Sequence, residues 1–187
     1  MTSRNIKHLI TANLVKANSV KNHLTSIDVY TDGSFKKTRQ GSVCGYGIYF
    51  PNHELKNVAA PFTIGDITNN RAELHAICQA IIRIKKIYTF DLINIYTDSE
   101  YSQKSLTVWI AGWKRNNWKN AKKKPVENQD IIKKIDKYLQ LYQGKINIQW
   151  VRAHTGNNDV YSVNNDMADR LANKGAKRYG ERFLNRR

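Results

Sequence analysis

The stretch HLTSIDVYTDGSFKK, residues 23–37, decides how the chain is read. A β-branched run, Ile27 to Thr31, stops at Asp32-Gly33-Ser34 and gives way to a basic loop. Asp-Gly is a common turn pair, because glycine takes positive φ without steric cost. The spacing therefore predicts a strand over IDVYT that ends in a turn and leaves a carboxylate at its tip. A second strand-like run, LINIYT (92–97), ends the same way at Asp98-Ser99. It is almost wholly apolar, the mark of a strand buried on both faces.

Working outward, SVCGYGIYF (42–50) and the weaker LKNVAAPFT (55–63) predict two further strands, with short links that suggest an antiparallel meander. NNRAELHAICQAIIRIKK (69–86) predicts a helix with Asn69 or Asn70 as cap and Ala72, Ile77, Ala80, Ile81 and Ile84 facing inward. Residues 99–111 and ENQDIIKKIDKYLQLY (127–142) predict two more helices, and INIQWV (146–151) a fifth strand. NNDMADRLANKGAKRY (164–179) predicts a last helix, with Met167, Ala168, Leu171 and Ala172 inward. Three strands, helix, strand, helices, strand, helix describe an α/β domain with a mixed sheet, an antiparallel meander and helical crossovers.

The 187 residues suffice for one domain with its own core. Lys and Arg outnumber Asp and Glu 31 to 15, so the chain favours polyanionic partners, nucleic acid first and an anionic membrane second. Cys44 and Cys78 are its two cysteines, in no CxxC or Cys/His cluster; both are expected to be free thiols in a reducing, intracellular compartment. No apolar run is long enough to span a bilayer. Residues 1–26 hold Arg4, Lys7, Lys16 and Lys21, no acid, and a helical stripe of Ile6, Leu9, Ile10, Leu14 and Val15. They suit either a surface extension or a mitochondrial targeting segment.

Asp32 and Asp98 fall side by side if their strands are adjacent and parallel, at the edge where open α/β sheets place sites. Glu73 lies in the first turn of the helix before the second of these strands, and Asp169 in the last helix. Each has an ordinary alternative. Asp98-Ser99 could cap a helix, Glu73 could answer a helix dipole, Asp169 could pair with Arg170 or Lys174, and His154 could be a loop histidine. Together, four converging carboxylates repel unless cations lie between them, and hard divalent ions suit all-oxygen ligands.

YTDGS, TNNRAELHA, YTDS, WVRAHTG and NNDMADRLA, taken in that order between about residues 27 and 178, resemble ribonuclease H of type 1. The resemblance implies a five-stranded mixed sheet, three antiparallel strands then two parallel, flanked by helices. It implies endonucleolytic hydrolysis of the RNA strand of RNA–DNA hybrids, without sequence preference, giving 5′-phosphate and 3′-hydroxyl products. Two Mg²⁺ ions, or Mn²⁺ in their place, would be held by Asp32, Glu73, Asp98 and Asp169. Asp32 would bridge the pair, Asp98 and Glu73 would hold one ion, and Asp169 the other. His154 would move protons or release product from its loop.

The segment VWIAGWKRNNWKNAKKKP (108–125) interleaves three tryptophans with six basic residues and no acid, a pattern suited to a nucleic-acid backbone. The resemblance implies that it is the basic handle that clasps the DNA strand. Trp109 and Trp113 would line the DNA channel, and Lys114, Arg115, Lys119, Lys122, Lys123 and Lys124 would supply charge. Trp118 would be structural. Thr68 and Asn128 match a DNA-phosphate pocket, although Asp66 stands where an arginine is expected. Asn69 and Asn70 match minor-groove residues, and their alternative is helix capping. Lys36, Lys37 and Arg39 make the loop after TDGSF more basic than in the family pattern.

The expected organisation is a basic extension over 1–26, a catalytic domain over 27–178 and a basic tail over 179–187. The handle and the start at Met1 favour a free-standing monomer over a domain of a larger replication protein. The intact carboxylate set speaks against a hybrid-binding module without catalysis, and the NNRAELHA block and histidine loop against a resolvase or transposase.

Overall fold

The computed structural model describes residues 21–153 and 158–184. The strands are β1 (Asn22–Thr38), β2 (Gly41–Tyr49), β3 (Val58–Pro61), β4 (Tyr88–Thr97) and β5 (Ile146–Trp150). They form one mixed sheet in the order β3-β2-β1-β4-β5. β1 and β2, and β2 and β3, pair antiparallel, whereas β4 and β5 run parallel to β1. The helices are α1 (Asn69–Ile87), α2 (Glu100–Lys104), α3 (Ile110–Arg115), α4 (Gln129–Leu141) and α5 (Val160–Tyr179). A π-helical turn, Ser105–Trp109, joins α2 to α3, and another, Gly180–Leu184, continues α5. The stripe predicted for residues 6–15 lies outside the described residues.

The predicted turn at Asp32-Gly33 is not there. β1 runs straight through it to Thr38, and the chain reverses at Arg39-Gln40, with Gly41 at φ +133°. The reason is pairing on two sides. β1 is bonded to β4 as far as Thr31↔Thr97, and to β2 from Tyr30↔Tyr49 to Thr38↔Gly41. Ladder hydrogen bonds along that length outweigh a local turn preference. Gly33 instead answers a close approach: a Cβ there would lie 2.5 Å from the backbone nitrogen of Glu73 in α1.

The helix caps also differ from expectation. Thr68, not Asn69 or Asn70, caps α1, its hydroxyl accepting from Arg71 N at 3.3 Å. All five predicted inward residues of α1 are fully buried. α5 begins at Val160, one turn earlier than its pattern suggests, because Asp159 caps it through Tyr161 N and Ser162 N.

α1 and α5 cover opposite faces of the sheet. α5 lies unusually near, with Ala168, Ala172, Gly175 and Ala176 turned to the strands. A Cβ on Gly45 would fall 2.0 Å from Ala176 N, and one on Gly47 2.3 Å from Ala168 O. Residues opposite one another across a strand pair share a face. Ser34 and Asp32, the partners of Gly45 and Gly47, therefore stand on the α5 face. Cys44 and Cys78 are buried in the core as free thiols, and burial pushes the Cys44 thiol up to about 11.

Gly45→Ala should unseat α5. Overpacking of this kind costs about 1–3 kcal/mol. The expected result is a lower urea midpoint with an unchanged m value.

Candidate active site

The parallel pairing of β1 with β4 ends at Thr31↔Thr97, so Asp32 and Asp98 are the next residues along the two chain segments. Asp32 is held in β1 by its pairing with Gly47. Asp98 leaves β4 at the start of the turn into α2, where Ser99 caps the helix through Ser102 N. Glu73 comes from the far side of the sheet, and Gly33, with no side chain, lets α1 close on the strand. Asp32, Glu73 and Asp98 each offer a carboxylate oxygen, and these three atoms all lie within 4.8 Å of one another.

Asp32 is 5% exposed and Glu73 3%, so neither charge is solvated. Burial first, then the Asp98 charge, pushes the Asp32 carboxyl up to about 8. Burial and the Asp32 charge hold Glu73 well above the usual carboxylate range. Glu73 Oε1 accepts from Asn69 Nδ2 at 3.3 Å, while Oε2 is buried without a hydrogen-bond partner. An all-oxygen, electron-rich cluster with an unmet buried acceptor fits a hard divalent cation.

Asp169 lies in α5, half-buried and outside that tight triad, yet near enough for its charge to raise Asp32 further. Its Oδ1 accepts from Asn173 Nδ2 at 2.8 Å. Asn165, fully buried one turn earlier, donates from Nδ2 to Asp98 Oδ2 at 3.0 Å. Neither asparagine was singled out from the sequence. Their signal was the four-residue spacing Asn165, Asp169, Asn173, which puts all three on one helix face. His154 lies outside the described residues.

The handle is built around Trp118 and Asn120. Trp118 N donates to Trp113 O at 2.7 Å, and Val126 N to Trp118 O at 2.9 Å. Trp118 packs against the core with Lys133 Nζ 4.7 Å from its ring centroid. Asn120 Oδ1 accepts from the backbone nitrogens of Lys122 and Lys124. Lys119, Lys122, Lys123 and Lys124 are exposed on this frame, as is Arg115 at the end of α3. Trp109, 39% exposed, contacts Tyr101 and Trp113. Lys114 departs from the expected array. Its Nζ is 2.6 Å from Asp136 Oδ1 in α4, so its charge is already paired.

Thr68, Asn70 and Asn128 line one cavity of about 410 Å³ with Asp66, Arg71 and Glu127. Arg71 faces it but is committed to Asp130 through two hydrogen bonds of 2.9 and 2.8 Å. Asn69 turns away, its Oδ1 accepting from Phe35 N and its Nδ2 serving Glu73.

The RNase H family model matches residues 24–177. A ribonuclease HI of Haemophilus influenzae is 37% identical over 151 residues, 81% of this chain and 90% of that protein. A probable ribonuclease H of Acanthamoeba polyphaga mimivirus is 43% identical over 144 residues, 75% of this chain but only 61% of that protein. The solution structure of the prototype foamy virus RNase H domain is 29% identical, covers 81% of this chain and 94% of its own, and superposes with a TM-score of 0.67. A foamy viral protease–reverse transcriptase in complex with RNA/DNA hybrid is 25% identical and covers 80% of this chain and 20% of its own, with a TM-score of 0.65. With the carboxylates of Asp32, Glu73 and Asp98 gathered at the edge of such a sheet, the chain belongs to the ribonuclease H family.

Proposed function

We propose that the protein hydrolyses the RNA strand of RNA–DNA hybrids endonucleolytically, without sequence preference, leaving 5′-phosphate and 3′-hydroxyl ends. The observation that carries this is the gathering of Asp32, Glu73 and Asp98 within 4.8 Å in a chain of this family. Two divalent cations, Mg²⁺ or Mn²⁺, would supply an activated water and neutralise the departing 3′ oxygen. Asp32, central among the acids and fixed in mid-strand, suits the bridging position. Asp98 and Glu73 suit one ion and Asp169 the other. His154 suits proton transfer, since histidine titrates near neutral pH.

Trp109, Trp113 and the exposed cations of the handle are assigned to the DNA strand, with Lys114 serving α4 instead. Thr68 and Asn128 are assigned to a DNA phosphate, and Asn70, which lines the same cavity, to the adjoining minor groove. The carboxylates of Asp66 and Glu127 weaken that contact, because they oppose the ligand's charge. Asn69 combines a place near the minor groove with support of Glu73. The catalytic domain, expected over 27–178, is drawn to include residues 22–26, which belong to β1 and pair with β4, and the turn Gly180–Leu184 that continues α5. A monomer in a reducing compartment fits the buried free thiols. No helix among the described residues is long and apolar enough to cross a membrane.

Labelled RNA–DNA hybrid, double-stranded RNA and double-stranded DNA, each incubated with Mg²⁺, Mn²⁺ or EDTA, test the reading. Cleavage of the hybrid's RNA alone, abolished by EDTA, is expected; cleavage of the DNA instead would overturn it. Asp32→Asn and Asp98→Asn should each lower kcat by at least about 100-fold, the scale set by losing one transition-state electrostatic partner. His154→Ala should slow turnover and leave cleavage measurable.

The raised carboxyls also predict a pH dependence. Unfolded, Asp32 titrates near its ordinary value of about 3.9, whereas folded it titrates at about 8. Between those values the native state binds the extra proton, so metal-free stability falls as pH rises. In EDTA the melting temperature should drop from about pH 6 to pH 8. Asp32→Asn should flatten that slope, and Mn²⁺ should stabilise the wild type most at the alkaline end.

Neutralising Lys122, Lys123 and Lys124 together should raise KM for the hybrid and flatten its dependence on salt, with kcat little changed. Lys114→Ala should act mainly on thermal stability.

A further inference from the structure

Asp169 is held less firmly by its own element than Asp32 or Glu73. Asp32 is fixed within a strand and Glu73 is enclosed, but Asp169 is only half-buried, on a helix. Its charge acts on that of Asp32, and like charges repel. Something must hold it inward.

Asn173, one helical turn on, meets that need. Its Nδ2 donates to Asp169 Oδ1 at 2.8 Å, and its Oδ1 accepts from Ser34 Oγ at 2.9 Å. The carboxylate accepts only, so the amide must turn its nitrogen to Asp169 and its oxygen to Ser34. Ser34 is 7% exposed and lies two residues beyond Asp32, on the same face of β1. The chain Ser34–Asn173–Asp169 therefore ties the carboxylate on α5 to the strand that carries Asp32.

We propose that Asn173 is a positioning residue for Asp169: it holds Oδ1, keeps the carboxylate available to a divalent cation at the acidic cluster, and anchors that rotamer to β1 through Ser34. This rests on the reading of Asp169 as a metal ligand. Hydrogen-bond partners of ligating side chains typically contribute about 10–100-fold in metal affinity or activity.

The test uses the full chain with Asn173→Ala, Ser34→Ala, Asp169→Asn and the Asn173→Ala/Asp169→Asn double variant. Four quantities are measured: kcat and KM on the hybrid, the Mn²⁺ concentration for half-maximal cleavage, Mn²⁺ binding by electron paramagnetic resonance without substrate, and melting in EDTA as a check on folding. Asn173→Ala is expected to lower kcat about 10-fold, raise the Mn²⁺ requirement and weaken Mn²⁺ binding, with KM unchanged. Ser34→Ala should shift the same quantities less, and it keeps the test open if Asn173→Ala melts early. The double variant should be no worse than Asp169→Asn alone. Additive losses in the double variant, or a wild-type Mn²⁺ profile for Asn173→Ala where Asp169→Asn shifts it, would overturn the positioning role. If Asp169→Asn itself leaves Mn²⁺ dependence and binding unchanged, both ideas fall, and the fault lies in the reading of Asp169.

Discussion

The contact of α1 with β1 at Gly33 is the constraint on which the site depends. Asp32 and Glu73 come from opposite sides of one sheet, and side chains on opposite faces do not ordinarily meet. They meet here because a missing Cβ lets the backbone of Ala72 and Glu73 close on the strand. Any side chain at Gly33 would push α1 outward and carry Glu73 with it. The sheet supplies the other half of the arrangement. Parallel pairing of β1 with β4 puts Asp32 and Asp98 at one level, and the antiparallel bond to β2 keeps Asp32 from fraying at the end of that pairing.

Gathering these acids works against stability, since burial and mutual repulsion both raise the cost of charge. The core around them offsets it. Ile27 and Val29 of β1, Ile93 and Ile95 of β4, and Ile77, Ile81 and Ile84 of α1 are buried almost completely. On the other face α5 packs through small residues and brings a polar ladder, Asn165, Asp169 and Asn173, down to the same edge. Two amides on that ladder donate to two of the acids. Rigid elements on both faces thus hold charges in place that would separate if left to themselves.

Most of this was legible from residue pattern. The element order, the inward stripe of α1 and the alignment of Asp32 with Asp98 follow from periodicity and from two strands that each meet an aspartate. What was not legible depended on partners distant in the chain. Asp-Gly reads as a turn in isolation, and only the double pairing of β1 carries it through as strand. Thr68, Asn69 and Asn70 are all competent caps; Thr68 takes the role because Asn69 is drawn to Phe35 and Glu73. Lys114 looks like its basic neighbours until α4 brings Asp136 to it across 22 residues. Asn165 and Asn173 resembled polar filler, because their meaning lies in contacts with Asp98, just past β4, and with Ser34 of β1.

The same distinction separates the handle from an unstructured basic loop. A run of lysines would ordinarily repel itself into extended, mobile chain. Here Trp118 is pinned to the core and Asn120 accepts from two backbone nitrogens of the run, while Lys119 bridges to Pro125. Asn117, Trp118 and Lys123 take positive φ within this frame. The lysines are therefore displayed by a fixed frame, and their mutual repulsion is largest when no polyanion is near. A nucleic-acid backbone relieves that repulsion and releases its own counterions. The acidic centre has the opposite need, which divalent cations meet. On the proposed function, a basic frame and an acidic centre in one domain would let a single polyanion be attracted at the handle while its phosphate is brought to carboxylates that would otherwise repel it.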